Sequence, residues 1–168
     1  ENDLILNEET LTADENGDIT NNTSTLNKWT PIGSFAAPFT GYINGKGHTI
    51  SGLYVDGVNY CGLIGYSTNT YTYINQLFVE NAYVRGNSYV GGIAGYLNTY
   101  CECAALEDIY FTGYVKGYNY VGGIAGYSDT DYEPGFLNVY HYAGGGTWGN
   151  DHVGGIVGYA TGDHQGLA

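Results

Sequence analysis

The sequence predicts an all-β fold, a β-solenoid built from Gly- and Tyr-rich repeats of about thirty residues, without substantial helix. Three observations support it. A short glycine-bracketed segment recurs at a nearly constant interval, apolar residues alternate upstream of each copy, and 28 of 168 residues are Gly, too many for stable helices. A unit this small cannot form its own core, so neighbouring units must stack.

Composition limits the classes of partner. Only 4 Lys and Arg oppose 17 Asp and Glu, giving a formal net charge of -13. Binding to phosphate backbones needs the reverse balance, so nucleic acids and anionic membranes are poor partners. No run approaches the roughly 18 apolar residues of a membrane span, and no membrane insertion is expected. The length fits one domain.

Residues 1–28 contain no copy of the repeat and are expected to form an N-terminal strand and capping segment. Residues 2–7 (NDLILN) have the pattern of a strand that either caps or begins the first coil. Asp14, Asn16 and Asp18 place three oxygen-bearing side chains at alternating positions around a glycine turn, as in loops that bind hard cations. The sequence therefore allows a calcium site or a plain polar turn here, and it suggests no other cofactor.

The repeats occupy residues 29–168, and successive copies lie 30, 31 and 32 residues apart. The copies are Tyr60–Tyr66 (YCGLIGY), Tyr89–Tyr96 (YVGGIAGY), Tyr120–Tyr127 (YVGGIAGY) and His152–Tyr159 (HVGGIVGY). Each unit is expected to contain a strand, a turn, a short strand and a Gly-rich turn. The variable stretches between units, residues 67–72, 97–104 and 128–135, are expected to be loops on one side.

If the coils stack in register, equivalent residues superpose at the ~4.8 Å spacing of neighbouring strands. One inward column would contain Val90, Val121 and Val153 with Cys61, and another Ile93, Ile124 and Ile156 with an Ile or Leu of the first copy. The alternating apolar residues upstream are Ile74, Leu77, Val79 and Val84, then Leu106, Ile109, Phe111 and Val115, then Leu137 and Val139. Each buried Val or Ile contributes roughly 1.5–3 kcal/mol.

The glycines and tyrosines of the copies need separate explanations. Glycine within strands is required either where φ is positive at a corner or where another backbone approaches closely. Both explanations apply to the paired glycines Gly91, Gly92, Gly122, Gly123, Gly154 and Gly155; each copy then ends in a single glycine, Gly95, Gly126 or Gly158. The flanking residues Tyr66, Tyr96, Tyr127 and Tyr159 are expected to stack as an aromatic column.

These copies closely resemble the GLUG motif, in which Val-Gly-Gly-Leu-Val-Gly lies between aromatic or Asn residues. The preceding segments Trp29–Gly33 (WTPIG), Pro38–Gly41 (PFTG) and Gly45–Tyr54 (GKGHTISGLY) look like the block that commonly introduces GLUG arrays. The resemblance covers about residues 29 to 160. Asn44 precedes Gly45 where the pattern usually has Asp, and Cys61 replaces Val.

The resemblance implies a bacterial cell-surface protein, since GLUG motifs occur in large adhesins and in non-catalytic regions of immunoglobulin A peptidases. In that family the motif marks a scaffold and carries no catalytic centre. An extracellular or cell-surface location follows from the same resemblance.

The sequence contains no recognisable catalytic motif, so we expect that the chain is not an enzyme. The four histidines lack the His-Glu-x-x-His spacing, and the Gly-rich runs lack the Gly-Lys-Ser/Thr of phosphate loops. The acidic clusters around residues 102–108 and 129–133 are typical of solvated loops. Cys101 and Cys103 are too few for a zinc site, and with Cys61 they leave the disulfide state open.

The sequence thus favours an extracellular structural or adhesive module. Either the chain self-assembles end to end, with its N-terminal strand donated to a neighbour, or it is one part of a longer surface protein. The alternative is a ligand-binding module whose Tyr-rich loops contact a host glycan or protein.

Overall fold

The computed structural model describes residues 2–68, 72–100, 105–130 and 135–162. Three sheets of parallel strands form a β-solenoid of about four turns, which confirms the fold class. Within those ranges we find no helix with the length and apolar character needed to cross a bilayer.

The described residues contain fifteen strands. In chain order they are β1 (Leu4–Ile5), β2 (Tyr42–Ser51), β3 (Tyr54–Asp56), β4 (Asn59–Cys61), β5 (Ile64–Thr68), β6 (Tyr73–Arg85), β7 (Ser88–Gly91), β8 (Ala94–Thr99), β9 (Leu106–Lys116), β10 (Asn119–Gly122), β11 (Ala125–Thr130), β12 (Phe136–His141), β13 (Gly146–Trp148), β14 (Asp151–Gly154) and β15 (Val157–Thr161).

The strands form three sheets. The first sheet has the order β1-β2-β6-β9-β12, with β3 paired to β6 and β13 paired to β9; the second is β14-β10-β7-β4 and the third is β15-β11-β8-β5. We call β2–β5 the first coil, β6–β8 the second, β9–β11 the third and β12–β15 the fourth. Each coil contributes to all three sheets, so the solenoid has three sides.

This arrangement corrects the expectation of two strands in each unit. The segment Val90–Gly95 contains the end of β7, a corner at Gly92 and Ile93, and the start of β8. The corner is sharp because glycine lets two backbones come close at the bend. The strands also continue into the stretches expected to be loops, reaching Thr68, Thr99 and Thr130.

The parallel register superposes equivalent residues of successive copies. Cys61 pairs with Val90, Val90 with Val121, and Val121 with Val153. At the corner, the Ile93 N–H donates to the Ile124 carbonyl and the Ile124 N–H to the Ile156 carbonyl, both at 2.9 Å. These are the two columns that the spacing of the copies predicts. Their members in the first three coils belong to the continuous apolar core, Ile156 packs against that core, and Val153 is partly exposed.

A bulge interrupts the alternation in the long strands of the first sheet. Ile74 and Leu77 are three residues apart and both buried, because Gln76 between them has a φ of 50°. The same bulge in β12 places Phe136 opposite Leu106. Leu137, which the sequence placed in the core, pairs with Glu107 and is 40% exposed, so that expectation was wrong.

The chain before Tyr42 covers the first coil on two of its sides. Strand β1 pairs with β2, with Leu4 opposite Ile50. Isolated bridges then join Ile32 to Ile64 and Phe39 to Ser67, both in the third sheet. These residues form a partial layer that shields the first coil along the first and third sheets.

Residues 8–27, which we call the N-terminal segment, pack on the outer side of the first sheet. The buried Tyr83 hydroxyl accepts a hydrogen bond from the Ile19 N–H (3.1 Å) and donates one to the Gly17 carbonyl (2.9 Å). Trp148 Nε1 donates to the Glu15 carbonyl at 3.2 Å. Since Tyr83 lies in the second coil and Trp148 in the fourth, the N-terminal segment braces the solenoid along its axis.

Candidate functional site

The outer edge of β12, β13, β14 and β15 in the fourth coil pairs with no further strand among the described residues, and we call it the open edge. In the described part of the chain, these strands pair only with strands of the third coil. Val153 is 44% exposed, whereas Val90 and Val121 at the same position of earlier coils are fully buried. The open edge therefore presents a surface that the other coils bury beneath a neighbour.

Gly155 shows the same difference at the level of the backbone. A Cβ atom at Gly92 would overlap the Gly123 carbonyl, and one at Gly123 would overlap the Gly155 carbonyl. Among the described residues, nothing lies within 4 Å of a Cβ placed at Gly155. Gly155 therefore leaves room for the backbone of a further strand at the distance seen between the earlier coils.

A groove of about 410 Å³ runs along the open edge between the first and second sheets. Its lining includes His141, Thr147, Val153 and Gly155. Thr147 Oγ1 is buried there without a hydrogen-bond partner among the described residues. A buried hydroxyl without a partner is unfavourable, so an incoming strand able to reach Oγ1 would gain a hydrogen bond.

Two aromatic columns run along the junction of the second and third sheets. Tyr66, Tyr96, Tyr127 and Tyr159 stack at centroid distances of 4.6, 4.7 and 5.4 Å, which confirms the predicted column. Beside it Tyr60, Tyr89, Tyr120 and His152 stack at 4.9 Å in each step. Rings of the two columns meet edge to face, as in the pair Tyr60 and Tyr66.

The second column also corrects one explanation for the glycines. None of the six paired glycines has a positive φ. The left-handed residues are instead Tyr60, Tyr89, Tyr120 and His152, with φ between 53° and 59°. This conformation costs of order 1–3 kcal/mol per residue, and the stacked rings offset part of it.

Close backbone approach is the explanation that holds for the glycines. Cβ atoms at Gly91, Gly122 and Gly154 would overlap the carbonyl oxygens of Ala94, Ala125 and Val157, respectively. Gly95, Gly126 and Gly158 likewise face backbone atoms of the second sheet. The second and third sheets therefore pack at glycine-to-backbone distance, and only Gly155 among these positions is open toward the described residues.

The residues of the possible calcium site are engaged by the protein itself. Asp14 Oδ1 accepts hydrogen bonds from the Asn16 N–H (2.9 Å) and the Asp18 N–H (2.8 Å), and these bonds lower the pKa of Asp14. Asp18 Oδ1 lies 2.6 Å from Lys116 Nζ. In the described ranges no three His, Cys, Asp or Glu side chains are grouped as a metal site would require. Calcium binding stays a prediction.

A second groove, of about 330 Å³, lies on the outer face of the first sheet. Phe78 and Tyr110 meet edge to face there at 4.7 Å, and Gln76, Asp108 and Lys46 complete the lining. All three polar residues occupy the bulges, with φ between 50° and 52°, which places them at one level of the sheet. Sequence reasoning missed this groove, although the bulge residues align at the repeat spacing.

Two further titratable groups have raised pKa values, and each has a structural cause. Burial raises the pKa of the Cys61 thiol to about 11, and Cys61 is free. The Tyr73 hydroxyl donates to the Glu107 carboxylate, which raises the pKa of Tyr73 to about 12. Cys101, Cys103 and His164 lie outside the described residues, so the disulfide question stays open for the first two.

Comparison with known proteins gives a partial similarity. No protein-family model matches the chain, and no solved structure matches it. A segment of 59 residues, 34% of the chain, is 48% identical to part of a protein named Halomucin from Haloquadratum walsbyi. That segment covers 1% of Halomucin, so the match concerns a small piece of a very long protein.

Proposed function

We propose that the chain is an extracellular structural module that extends by stacking, with its open edge binding the opposite end of a second copy. The observation that carries the proposal is the exposure of Val153, at a position where the earlier coils bury the same side chain completely. Unpaired strand edges are templates for further strands, and a head-to-tail contact of this kind produces filaments.

The opposite end offers a complementary surface. Strand β1 and the bridged residues Ile32 and Phe39 are paired on one side only within the described ranges. Leu4 and Ile5 are both exposed there, as Leu137 and Val153 are at the open edge. In the proposed contact β1 of one copy extends the first sheet beyond β12 of the next, and Ile32–Phe39 extends the third sheet beyond β15.

Three features support the extracellular location. The repeats resemble GLUG motifs, which we propose as the family of the chain. The partial relative is named Halomucin, which is a surface-associated protein. The scarcity of basic residues argues against a nucleic-acid partner inside the cell. We propose on the same grounds that the chain has no catalytic activity.

The test compares the mass of the purified chain with that of edge variants by light scattering and negative-stain microscopy. Gly155→Ala adds one methyl group where the monomer has space, and Val153→Asp places a charge on the open edge. Both are expected to shift filaments to monomers, whereas Tyr118→Asp, at an exposed corner of the third coil, should assemble normally. Filaments of unchanged length in both edge variants would rule out this contact.

The groove around Phe78 and Tyr110 supports a second candidate function, the binding of a neutral glycan. Half-buried aromatic rings beside amide and carboxylate side chains supply the stacking surface and the hydrogen bonds that sugar rings use. A glycan array tests it, with Tyr110→Ala expected to abolish binding and Tyr118→Ala to leave it unchanged. If the wild-type chain bound no glycan on the array, glycan binding would be ruled out as a function of this groove.

A further inference from the structure

A turn in the N-terminal segment carries two overlapping Asn-x-Ser/Thr sequences. Asn21-Asn22-Thr23 and Asn22-Thr23-Ser24 both fit the pattern that oligosaccharyltransferases recognise, and no other Asn of the sequence does. The middle residue is not Pro in either case. The structure separates the two candidates, because one asparagine is engaged by the fold and the other is available.

Asn21 uses both ends of its amide group to hold the segment together. Its Nδ2 donates to Glu9 Oε2 and to the Thr10 carbonyl, each at 2.9 Å. Its Oδ1 accepts from the Thr12 N–H at 2.8 Å. A sugar on Nδ2 would replace one of its two hydrogens, so at least one of these two hydrogen bonds within the N-terminal segment would be lost.

Asn22 presents its amide nitrogen to solvent. The residue is exposed, and the structure records no partner for its Nδ2 among the described residues. Its Oδ1 accepts hydrogen bonds from the Ser24 hydroxyl at 2.8 Å and the Ser24 N–H at 3.2 Å. The hydroxyl that defines the acceptor sequence therefore already contacts the asparagine that would be modified.

The turn around Asn22 can bind in the active site of a transferase without breaking the strand pairing of a sheet. Residues 22–25 lie outside all strands, and the recorded hydrogen bonds of Asn22 run to Ser24 and Thr25 within the same turn. Thr23 and Ser24 are exposed as well. Opening this turn costs a few local hydrogen bonds, each worth about 0.5–1.5 kcal/mol net.

We infer that Asn22 is an N-glycosylation acceptor and that Asn21 is not. The donor class is a polyprenyl-phosphate- or polyprenyl-pyrophosphate-linked oligosaccharide. Asn22 Nδ2 forms a bond to the anomeric carbon, the bond from that carbon to the lipid phosphate oxygen breaks, and the lipid phosphate leaves with the electron pair. The amide loses one proton to a base of the transferase. In nature the reaction requires the extracellular route of the proposed function.

The experiment uses the full chain with an added signal peptide, secreted from yeast, so that it depends neither on natural location nor on assembly. Tryptic peptides are treated with an amidase in heavy-oxygen water, which converts a glycosylated Asn to labelled Asp. Wild type is expected to carry the label at residue 22.

Two neighbouring substitutions provide matched controls. Thr23→Ala destroys only the acceptor sequence of Asn21 and should keep the glycan on Asn22. Ser24→Ala destroys only that of Asn22 and should reduce occupancy at least tenfold. A label at residue 21 in wild type, or an unmodified secreted chain, would overturn the inference. Thermal melts check that the two variants fold. The mapping of the modified residue in the wild-type chain does not depend on either variant. If the chain does not assemble into filaments, the result on Asn22 is unaffected. If Asn22 is not glycosylated, the test of assembly is likewise unaffected.

Discussion

Val121 lies opposite Val153 in the parallel register, and the two differ in one respect: Val121 is fully buried and Val153 is 44% exposed. The fourth coil covers the side chain of Val121, and no described residue covers that of Val153 in the same way. Because the two residues are identical and occupy equivalent positions, comparing substitutions at Val121 and Val153 measures the effect of stacking on stability and on association.

We expect Val121→Ala to lower the free energy of unfolding by about 2 kcal/mol, because two buried methyl groups are lost and a cavity remains. Val153→Ala should cost under about 1 kcal/mol in the monomer, since much of that side chain is already in water. Urea unfolding of both variants at low protein concentration measures the difference. Equal losses would mean that the two positions do not differ in burial.

Gly122→Ala tests the close packing of the second and third sheets. The added methyl group would overlap the Ala125 carbonyl and approach the Gly158 nitrogen and the Ile156 carbonyl, none of which can move independently of the sheets. We expect a loss of about 3 kcal/mol or more. Gly155→Ala is the matched control and should change monomer stability by less than about 0.5 kcal/mol. A stable Gly122→Ala protein would contradict the packing.

Much of the fold could be predicted because stacked coils superpose the equivalent residues of successive repeats. The spacing of the copies located the Val column and the Tyr66 column, since the repeat register places apolar residues on apolar residues and Tyr on Tyr. The backbone conformation could not be predicted in this way. Propensity assigns positive φ to Gly91, whereas packing imposes it on Tyr89, two residues earlier.

The packing of the N-terminal segment on the outer side of the first sheet was not predicted, because the sequence indicated only a strand and a capping segment for residues 1–28. The segment contains no repeat, and its contacts are with outward-facing aromatic residues of several coils. A signal was present in Tyr54, Tyr83 and Tyr114, which occupy equivalent positions of successive coils. In the fourth coil Gly146 takes this position, and the ring of Trp148 lies 6.0 Å from that of Tyr114. A column of large aromatic residues on an outer face indicates a surface covered by another part of the chain.

Tyr83→Phe tests the attachment of the N-terminal segment. Removing the hydroxyl leaves the Ile19 N–H and the Gly17 carbonyl without partners, at a cost of about 1–3 kcal/mol. Hydrogen exchange at the Ile19 amide should accelerate. Tyr114→Phe, in the same column with no recorded hydrogen bond at its hydroxyl, should have little effect. Unchanged exchange at Ile19 in Tyr83→Phe would contradict the attachment.

Stability should fall in alkali. Burial raises the pKa of the Cys61 thiol from 9.0 to about 11, and the Glu107 carboxylate raises that of Tyr73 from 10.0 to about 12. Burial also raises the pKa of Tyr60, Tyr66 and Tyr89.

Folded-state pKa values above the unfolded ones mean that stability is complete below about pH 9 and is lost as the pH rises from there to about 12. Melting temperatures between pH 7 and 12, followed with phenolate absorbance, measure this loss. A melting temperature that stays constant up to pH 12 would contradict the burial of these groups.

The most direct test of the central claim is electron microscopy of the concentrated chain at high salt, which screens the repulsion between copies of charge -13. Stacking predicts filaments with a strand spacing of ~4.8 Å and an axial subunit repeat of roughly 24 Å, because each copy contributes five successive strands to the first sheet. The edge variant Gly155→Ala should abolish them. Monomers of the wild-type chain at every concentration and salt level would contradict the claim.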